Sequence, residues 1–328
     1  MWIASKLMTS LILGVFLFFW THSALWFYRE YKDRQARKAH PHVQTAELPH
    51  LKGKYIRRFG LGWRLVHLSF ALALMVLSLT GMSIFYAETG WASAVIDTLG
   101  GPKTAAIIHR AAAILILSLF VGHLLYFAIK FAPQWRTFKW FGHTSLVPSL
   151  QDLRDMAAMF RWFFGKAPRP VFGRWTYWER FDYWAPFWGL TIVGGSGLML
   201  WFKELTAAVW PGWIFNIAKL AHGEEAFLAI LFLFTVHFFN NHFRPDRFPP
   251  PDISMFTGAV PLEEFRREHT LEYDELVATG ELDKLVVDVP SPAMTLGSKI
   301  LGIVLLAFGL TLLALVLIGF TGSLTGSS

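Results

Sequence analysis

Two pairs of histidines lie within apolar stretches of this sequence at nearly the same spacing. His109 and His123 are fourteen residues apart in one stretch, and His222 and His237 are fifteen apart in another. On a helix these spacings separate the members of each pair by about 21–22 Å and keep them within about 40–60° of one face. Because ionisable side chains are costly in lipid and usually functional there, these histidines are the first candidates for chemistry.

Paired histidines at matched depths favour the binding of haem iron. Two imidazoles that approach an iron from opposite sides leave no open coordination position, which suits electron transfer. One isolated histidine would more often be a hydrogen-bonded interior residue, but four or more at matched depths favour ligation. The chain has no cysteine, so it cannot hold an iron–sulfur cluster, a covalently attached c-type haem or a disulfide.

The elements that position these histidines are predicted to be transmembrane helices. Hydrophobic residues make up 54% of the chain, with 31 Phe and 15 Trp, which is far too apolar for a soluble domain of 328 residues. A helix of about 20 apolar residues crosses the hydrocarbon layer. We therefore predict an all-α membrane protein in which a four-helix haem-binding bundle carries one additional helix at each end. The six predicted spans are 2–28, 65–86, 104–131, 183–202, 222–243 and 300–320.

Basic residues orient the predicted helices, since Lys and Arg accumulate in short cytoplasmic loops. Ten lie within 29–64 and nine within 130–180, whereas 87–103 contains one and 203–221 contains two. Both termini are therefore predicted on the outer side of a bacterial inner membrane. The net charge of +7 is explained by this topology and requires no nucleic-acid partner.

Four regions follow from these spans. Residues 1–58 are predicted to be a transmembrane anchor with a basic cytoplasmic linker, and 59–243 the haem-binding core. The anchor is expected to stay uncleaved, because the basic run that follows it disfavours export. Residues 244–297 are predicted to be an acidic cytoplasmic segment with a short helix near 262–269, and 298–328 a C-terminal transmembrane helix. The two added helices are expected to contact partner subunits.

Further polar residues lie at the inner ends of the predicted helices. His242 is interpreted as a quinone or haem-propionate contact, or alternatively as a helix-end residue at the water interface. Arg64 and Arg110 could pair with haem propionates, although cytoplasmic anchoring explains Arg64 equally well. A quinone site is predicted from six polar residues at these helix ends, which could instead be part of an interfacial aromatic belt with charged neighbours. Its members are Glu179, Arg180, Asp182, Asn240, Asn241 and His242.

Two other functions are also consistent with the sequence. The His237 and His242 spacing resembles a histidine box of membrane desaturases and hydroxylases, which would make the chain a di-iron oxygenase, although no second box is present. The same histidines could also form a haem-free proton or ion relay.

Several short motifs resemble the cytochrome b (gamma) subunits of formate dehydrogenase and nickel–iron hydrogenase. Arg64-Leu-Val-His67, Leu79-Thr-Gly81 and Ile107-Ile-His109 match the first helical hairpin of that family in order. The resemblance continues through His222, His237, Met255-Phe-Thr-Gly258 and Glu268-His-Thr-Leu-Glu-Tyr273, so that it covers roughly 59–273.

The resemblance implies two b haems and a quinone, menaquinone or ubiquinone, near the inner one. By position, His109 and His222 would hold the outer haem, and His67 with His237 the inner haem. Helix geometry instead offers His123 opposite His237; if both His67 and His123 were ligands, a third haem using His242 would be conceivable. An iron–sulfur subunit or a multihaem c-type cytochrome would dock at the outer face, and a catalytic oxidoreductase subunit would carry the substrate site.

Overall fold

The computed structural model describes residues 2–39, 51 and 53–325, and long helices dominate it. The helices are α1 (Trp2–Ala39), α2 (Leu61–Phe85), α3 (Gly90–Thr98), α4 (Pro102–Phe131), α5 (Leu150–Phe163), α6 (Tyr177–Gly189), α7 (Gly195–Trp201), α8 (Lys203–Val209), α9 (Ile214–Leu231), α10 (Ser254–Thr257), α11 (Leu262–Glu268), α12 (Thr270–Ala278), α13 (Leu282–Leu285) and α14 (Pro292–Thr325). Three short strands complete the regular structure: β1 (Tyr55–Arg57), β2 (Ala259–Pro261) and β3 (Val286–Val287).

Among the described residues, five helices are long and apolar enough to cross a membrane. A sixth span results if Tyr177–Trp201 is counted together with α8, which is bent away from it by 99°. The prediction of a multi-pass helical membrane protein is confirmed.

Two of the spanning helices contain wider π-helical turns. Leu190–Gly194 joins α6 to α7 in this way, four residues after Pro186, which cannot donate a backbone hydrogen bond. Two further π segments, Phe232–His237 and Phe239–Phe243, extend α9 to its inner end. Such turns are frequent at functional sites, and these two helices carry His222, His237 and Asp182.

Two predicted helix limits are wrong. The fifth span begins at Ile214 instead of residue 222, so His222 lies two turns inside the helix and not at its start. The first helix continues past residue 28 to Ala39, since its polar extension consists largely of good helix formers. The short helices α3 and α5 were not predicted, because neither is long enough to register as a membrane span.

The added helices pack on the core. Ile12 of α1 and Val316 of α14 are buried in one cluster with Met82 of α2 and Phe234 of α9. Glycines on α14 permit this close approach: a Cβ at Gly309 would come within 2.7 Å of Phe238. Both helices are therefore part of the bundle, and their expected contacts with partner subunits stay a prediction.

A small three-stranded sheet forms below the bundle. Its order is β2-β1-β3 with antiparallel pairing, so that Ile56 lies opposite Val260 in one pair and Val286 in the other. Ile56 and Phe265 are buried in its core. The end of the predicted basic linker thus pairs with strands of the predicted acidic segment. A helix is present at Leu262–Glu268, as the sequence predicted.

Candidate functional site

A cavity of about 880 Å³ lies among the core helices, near the upper limit of ordinary ligand pockets. Apolar side chains of α2, α4, α6, α7 and α9 form most of its wall. The histidine and charged side chains that line it are His67, His109, Arg110, Asp182, His222, Glu225, His237 and His242. Five of the six histidines predicted to bind a cofactor therefore share one cavity.

His109 on α4 and His222 on α9 face each other across the outer part of this cavity. Their ring centres are 6.3 Å apart and their planes are inclined by 68°. An imidazole nitrogen lies about 2 Å from a bound metal and about 1 Å from its own ring centre, so two rings on opposite sides of one iron are about 6 Å apart. The pair thus has the spacing needed to share a haem iron.

Hydrogen bonds fix the tautomers of these two histidines. His222 donates its Nδ1 proton to the backbone oxygen of Val193, at 2.9 Å. His109 Nδ1 is 2.8 Å from the hydroxyl oxygen of Thr80, whose own proton goes to Val76 O, so the histidine is the donor. Both rings therefore keep the Nε2 lone pair free, which is the arrangement found in metal-ligating histidines.

Glycines allow neighbouring helices to support the two rings. A Cβ at Gly81 on α2 would lie 3.3 Å from His109 Cε1, and one at Gly197 on α7 would lie 3.0 Å from His222 Cε1. Both distances are tighter than normal packing permits. The helices can approach the imidazoles this closely only because these positions lack side chains.

His67, His237 and His242 line the inner part of the cavity. His237 Nδ1 lies 3.3 Å from Asp182 Oδ2 and 3.2 Å from Asn241 Nδ2. A carboxylate can only accept, and the Asn241 amide already donates to the backbone oxygen of His237 at 2.9 Å, so the His237 ring proton is assigned to Nδ1 and Nε2 is left as a lone pair. His242 has the opposite tautomer, because its Nδ1 accepts the backbone N–H of Asp252 at 3.1 Å and the ring proton must reside on Nε2.

His123 is the predicted histidine that does not line the cavity. Its Nε2, the atom that would bind iron, lies 2.8 Å from the Tyr183 hydroxyl, and Trp63 packs edge-on against the ring at 5.4 Å. The structure therefore places His67, and not His123, in the same cavity as His237. Spacing along α4 gave the depth of His123 but could not show which helix it would face.

Of the predicted quinone-site residues, Asp182 and His242 line the cavity. Arg180 is buried and engaged elsewhere, donating to Asp152 at 2.5 Å and to the backbone oxygens of Ser145 and Gly142 at 2.9 Å each. These contacts give Arg180 a structural role.

Glu179 also has structural contacts. Its carboxylate accepts the backbone N–H of Thr176 at 2.8 Å and completes the capping box at the start of α6. Asn241 contacts His237, as described above, while Asn240 is buried outside the cavity lining.

The two arginines predicted to meet haem propionates differ in position. Arg110 lines the cavity beside His109, with its guanidinium 5.2 Å from the ring centre of Trp201. Arg64 instead donates to the backbone oxygen of Phe256 and packs against Gly258 outside the cavity. Only Arg110 is placed to meet an anionic group of a bound ligand in the cavity.

Sequence reasoning missed one buried acid in this cavity. Glu225 follows His222 by one helical turn, is only 3% exposed, and its Oε2 has no hydrogen-bond partner among the described residues. The Glu224-Glu225 pair within an apolar stretch could have revealed it.

No cluster of three or more His, Asp or Glu side chains suited to a metal ion occurs in the part of the chain that the structure describes. The di-iron interpretation of His237 and His242 therefore has no support from the described geometry.

A helical membrane bundle in which two histidines are spaced to share one iron defines the class of b-type cytochromes. The model of the prokaryotic cytochrome b561 family matches residues 58–245, more than half of the chain, and the protein belongs to this family. Members bind b-type haem and serve in membrane electron transfer. The matched range contains all five cavity histidines, whereas α1 and α14 lie outside it. No curated protein matches the chain.

Proposed function

We propose that this protein is the diheme cytochrome subunit of a quinone-linked respiratory oxidoreductase, similar to the cytochrome b subunits of formate dehydrogenase and nickel–iron hydrogenase. The observation that carries the proposal is the His109–His222 pair, with ring centres 6.3 Å apart and both Nδ1 protons already donated. Haem supplies reversible one-electron chemistry when bound. The chain's own residues hold it, exclude water and set its electrostatic environment.

The second haem is assigned to His67 and His237 at the inner end of the cavity. Both histidines line the cavity and lie close enough to interact electrostatically. His123 is left out because its Nε2 is occupied by Tyr183, which also removes the basis for a third haem.

A quinone, either menaquinone or ubiquinone, is proposed to bind beside the inner haem. His242 lines this cavity and carries its ring proton on Nε2, and such an N–H suits a quinone carbonyl, which accepts hydrogen bonds. Asn241, two residues before the end of the helical segment, contacts His237 beside this site. Protons for quinone chemistry would enter from the cytoplasmic side, where the helix meets water.

The redox partner is proposed to dock at the outer face, near His109 and His222. This chain has no cysteine for an iron–sulfur cluster, so an iron–sulfur subunit or a multihaem c-type cytochrome would exchange electrons there. A catalytic oxidoreductase subunit would carry the substrate site. The complex is placed in a bacterial inner membrane with both termini of this chain outside.

Haem content of the purified protein tests the proposal. A pyridine haemochrome assay is expected to give two haems b per chain, and single alanine variants of His67, His109, His222 and His237 are expected to give one. His123→Ala is the matched control and should retain two. A wild-type protein without haem would overturn the proposal and favour the proton relay, and loss of a haem from the control would return His123 to the ligand set.

A further inference from the structure

The three cavity histidines that carry their ring proton on Nδ1 differ in the group that accepts this proton. For His109 it is a hydroxyl, for His222 a backbone carbonyl, and for His237 the carboxylate of Asp182. The proposed outer haem is thus held by imidazoles with neutral partners. The proposed inner haem has one imidazole with an anionic partner.

Asp182 is directed toward His237 by its surroundings. Its side chain is 13% exposed, and Oδ2 lies 3.3 Å from His237 Nδ1. The other oxygen, Oδ1, is buried and has no hydrogen-bond partner among the described residues. Asn241 Nδ2, 3.2 Å from the same ring nitrogen, is a donor and cannot take up the Nδ1 proton.

A carboxylate partner changes the electronic properties of a ligating imidazole. The charge-assisted hydrogen bond draws the Nδ1 proton toward the carboxylate, which makes Nε2 a stronger electron donor. A stronger donor stabilises the more positive, oxidised iron relative to the reduced iron. A hydroxyl or a backbone carbonyl is a weaker acceptor and has a smaller effect.

We infer that Asp182 is a positioning residue that fixes the tautomer and orientation of His237 and lowers the reduction potential of the inner haem. The inference rests on the proposed diheme function. It assigns the tuning of the inner haem to a side chain of this protein, and it replaces the predicted role of Asp182 as a member of the quinone site.

The experiment is a potentiometric titration of the purified holoprotein at fixed pH, followed by haem absorption. The absorption change that belongs to the inner haem is identified as the one that is lost in His237→Ala. Asp182→Asn is expected to weaken the preference of the inner haem for oxidised iron at least tenfold, which is an upward shift of about 59 mV or more for a one-electron couple. Asp155→Asn is the control, since it removes a carboxyl of α5 that lies outside the cavity and accepts a hydrogen bond from Gln151; the preference of the inner haem for oxidised iron should stay within a few-fold of wild type.

Each result decides the inference. An upward shift in the potential of the inner haem alone supports the inference. The inference is overturned if the potential does not shift, if both haems shift equally, or if the control variant shifts as much as Asp182→Asn. If Asp182→Asn loses the inner haem, Asp182→Glu decides: a retained haem of low potential supports a carboxylate effect, and its loss makes the role merely structural. A wild-type protein without two haems would contradict the proposed function instead.

Discussion

At the scale of single residues, the role of each intramembrane histidine follows from which ring nitrogen is already engaged. His22 and His123 direct Nε2 to the hydroxyls of Tyr177 and Tyr183. His109, His222 and His237, which are proposed as ligands, instead use Nδ1 in their hydrogen bonds and keep Nε2 for iron. Two otherwise similar side chains at the same depth can therefore have different functions.

Glycines next to the histidines should be as important as the histidines themselves. Gly197→Val is expected to remove one of the two haems, because any Cβ there would lie 3.0 Å from His222 Cε1 and would displace the ring. The measurement is haem per chain after purification. Gly195→Val is the matched control on the same helix, since a Cβ at Gly195 meets nothing within 4 Å. Equal haem loss in both variants would mean that the helix, and not the ring contact, is disturbed.

Part of the site could be predicted from single residues. The matched depths of His109 and His222 indicated that they would meet, and their rings do lie together. The sequence could not decide whether His67 or His123 is the partner of His237. Spacing along a helix gives the depth of a residue and the face on which it lies, but it does not show which other helix packs against that face. The hydrogen bond from His237 to Asp182 joins residues 55 positions apart and has no local sequence pattern.

At the scale of elements, the three-stranded sheet and the helix α11 are attached to the end of the α9 span by buried ion pairs. Arg244 is fully buried, lies 2.7 Å from Glu268 Oε1, and stacks over the Trp26 ring of α1 at 4.7 Å. Arg247 pairs with Glu268 and with Asp252, whose backbone N–H holds His242. The end of the cavity at which His242 lies is therefore positioned by residues outside the apolar spans.

This ion-pair network should make stability depend on pH. Burial alone would raise the pKa of Glu268, but Arg244 and Arg247 outweigh burial and hold it well below its usual value. A carboxyl with a lowered pKa stabilises the fold above its unfolded value of about 4.3, and this contribution is lost as the pH falls through the folded value. The unfolding temperature is therefore expected to be constant near neutral pH and to fall at acidic pH.

A variant isolates the contribution of Glu268. Glu268→Gln is expected to lower the free energy of unfolding by about 3 kcal/mol at pH 7, because it leaves the buried arginine charge without its partner. In acid, where Glu268 of the wild type is protonated, the unfolding temperatures of the two proteins should approach each other. Tryptophan fluorescence of the solubilised protein during heating is the measurement. Glu281→Gln is the control, since Glu281 pairs with Lys284 on the surface and exposed pairs contribute little. A difference from wild type that does not change with pH would contradict the proposed cause.

Hydropathy predicted the membrane-spanning helices but not the short strands, which form through contacts between residues distant in sequence. The membrane spans could be located because about 20 apolar residues are needed whatever the fold. β1 and β3 are only three and two residues long and pair across more than 200 positions, so their own sequences carry little information. Arg180 illustrates the same limit: it lay at a plausible depth for a quinone, but it binds Asp152 and the backbone around it.

At the scale of the whole molecule, the family match and the packing divide the chain differently. Residues 58–245 match the cytochrome b561 family and contain all six histidines that were predicted to bind a cofactor. Yet α1 contacts α5 and α9, and α14 contacts α2 and α9, with Gly309 packed against Phe234 and Gly319 against Tyr86. The added helices thus enclose one side of the cavity-bearing core, and Leu305 and Leu306 of α14 are part of the cavity wall.

The orientation of the whole chain is open to a direct test, because the native sequence has no cysteine and any introduced thiol is unique. Ser93 on α3 and Lys139 after α4 are both exposed and lie on opposite sides in the proposed topology. In intact spheroplasts, Ser93→Cys should react with a membrane-impermeant maleimide, whereas Lys139→Cys should react only after lysis. Ser78→Cys, at a buried position in α2, is the control and should not react in either preparation. The reverse pattern would place the His109–His222 pair near the cytoplasm, and the proposed outer-face partner would then have to dock on the opposite side of the membrane.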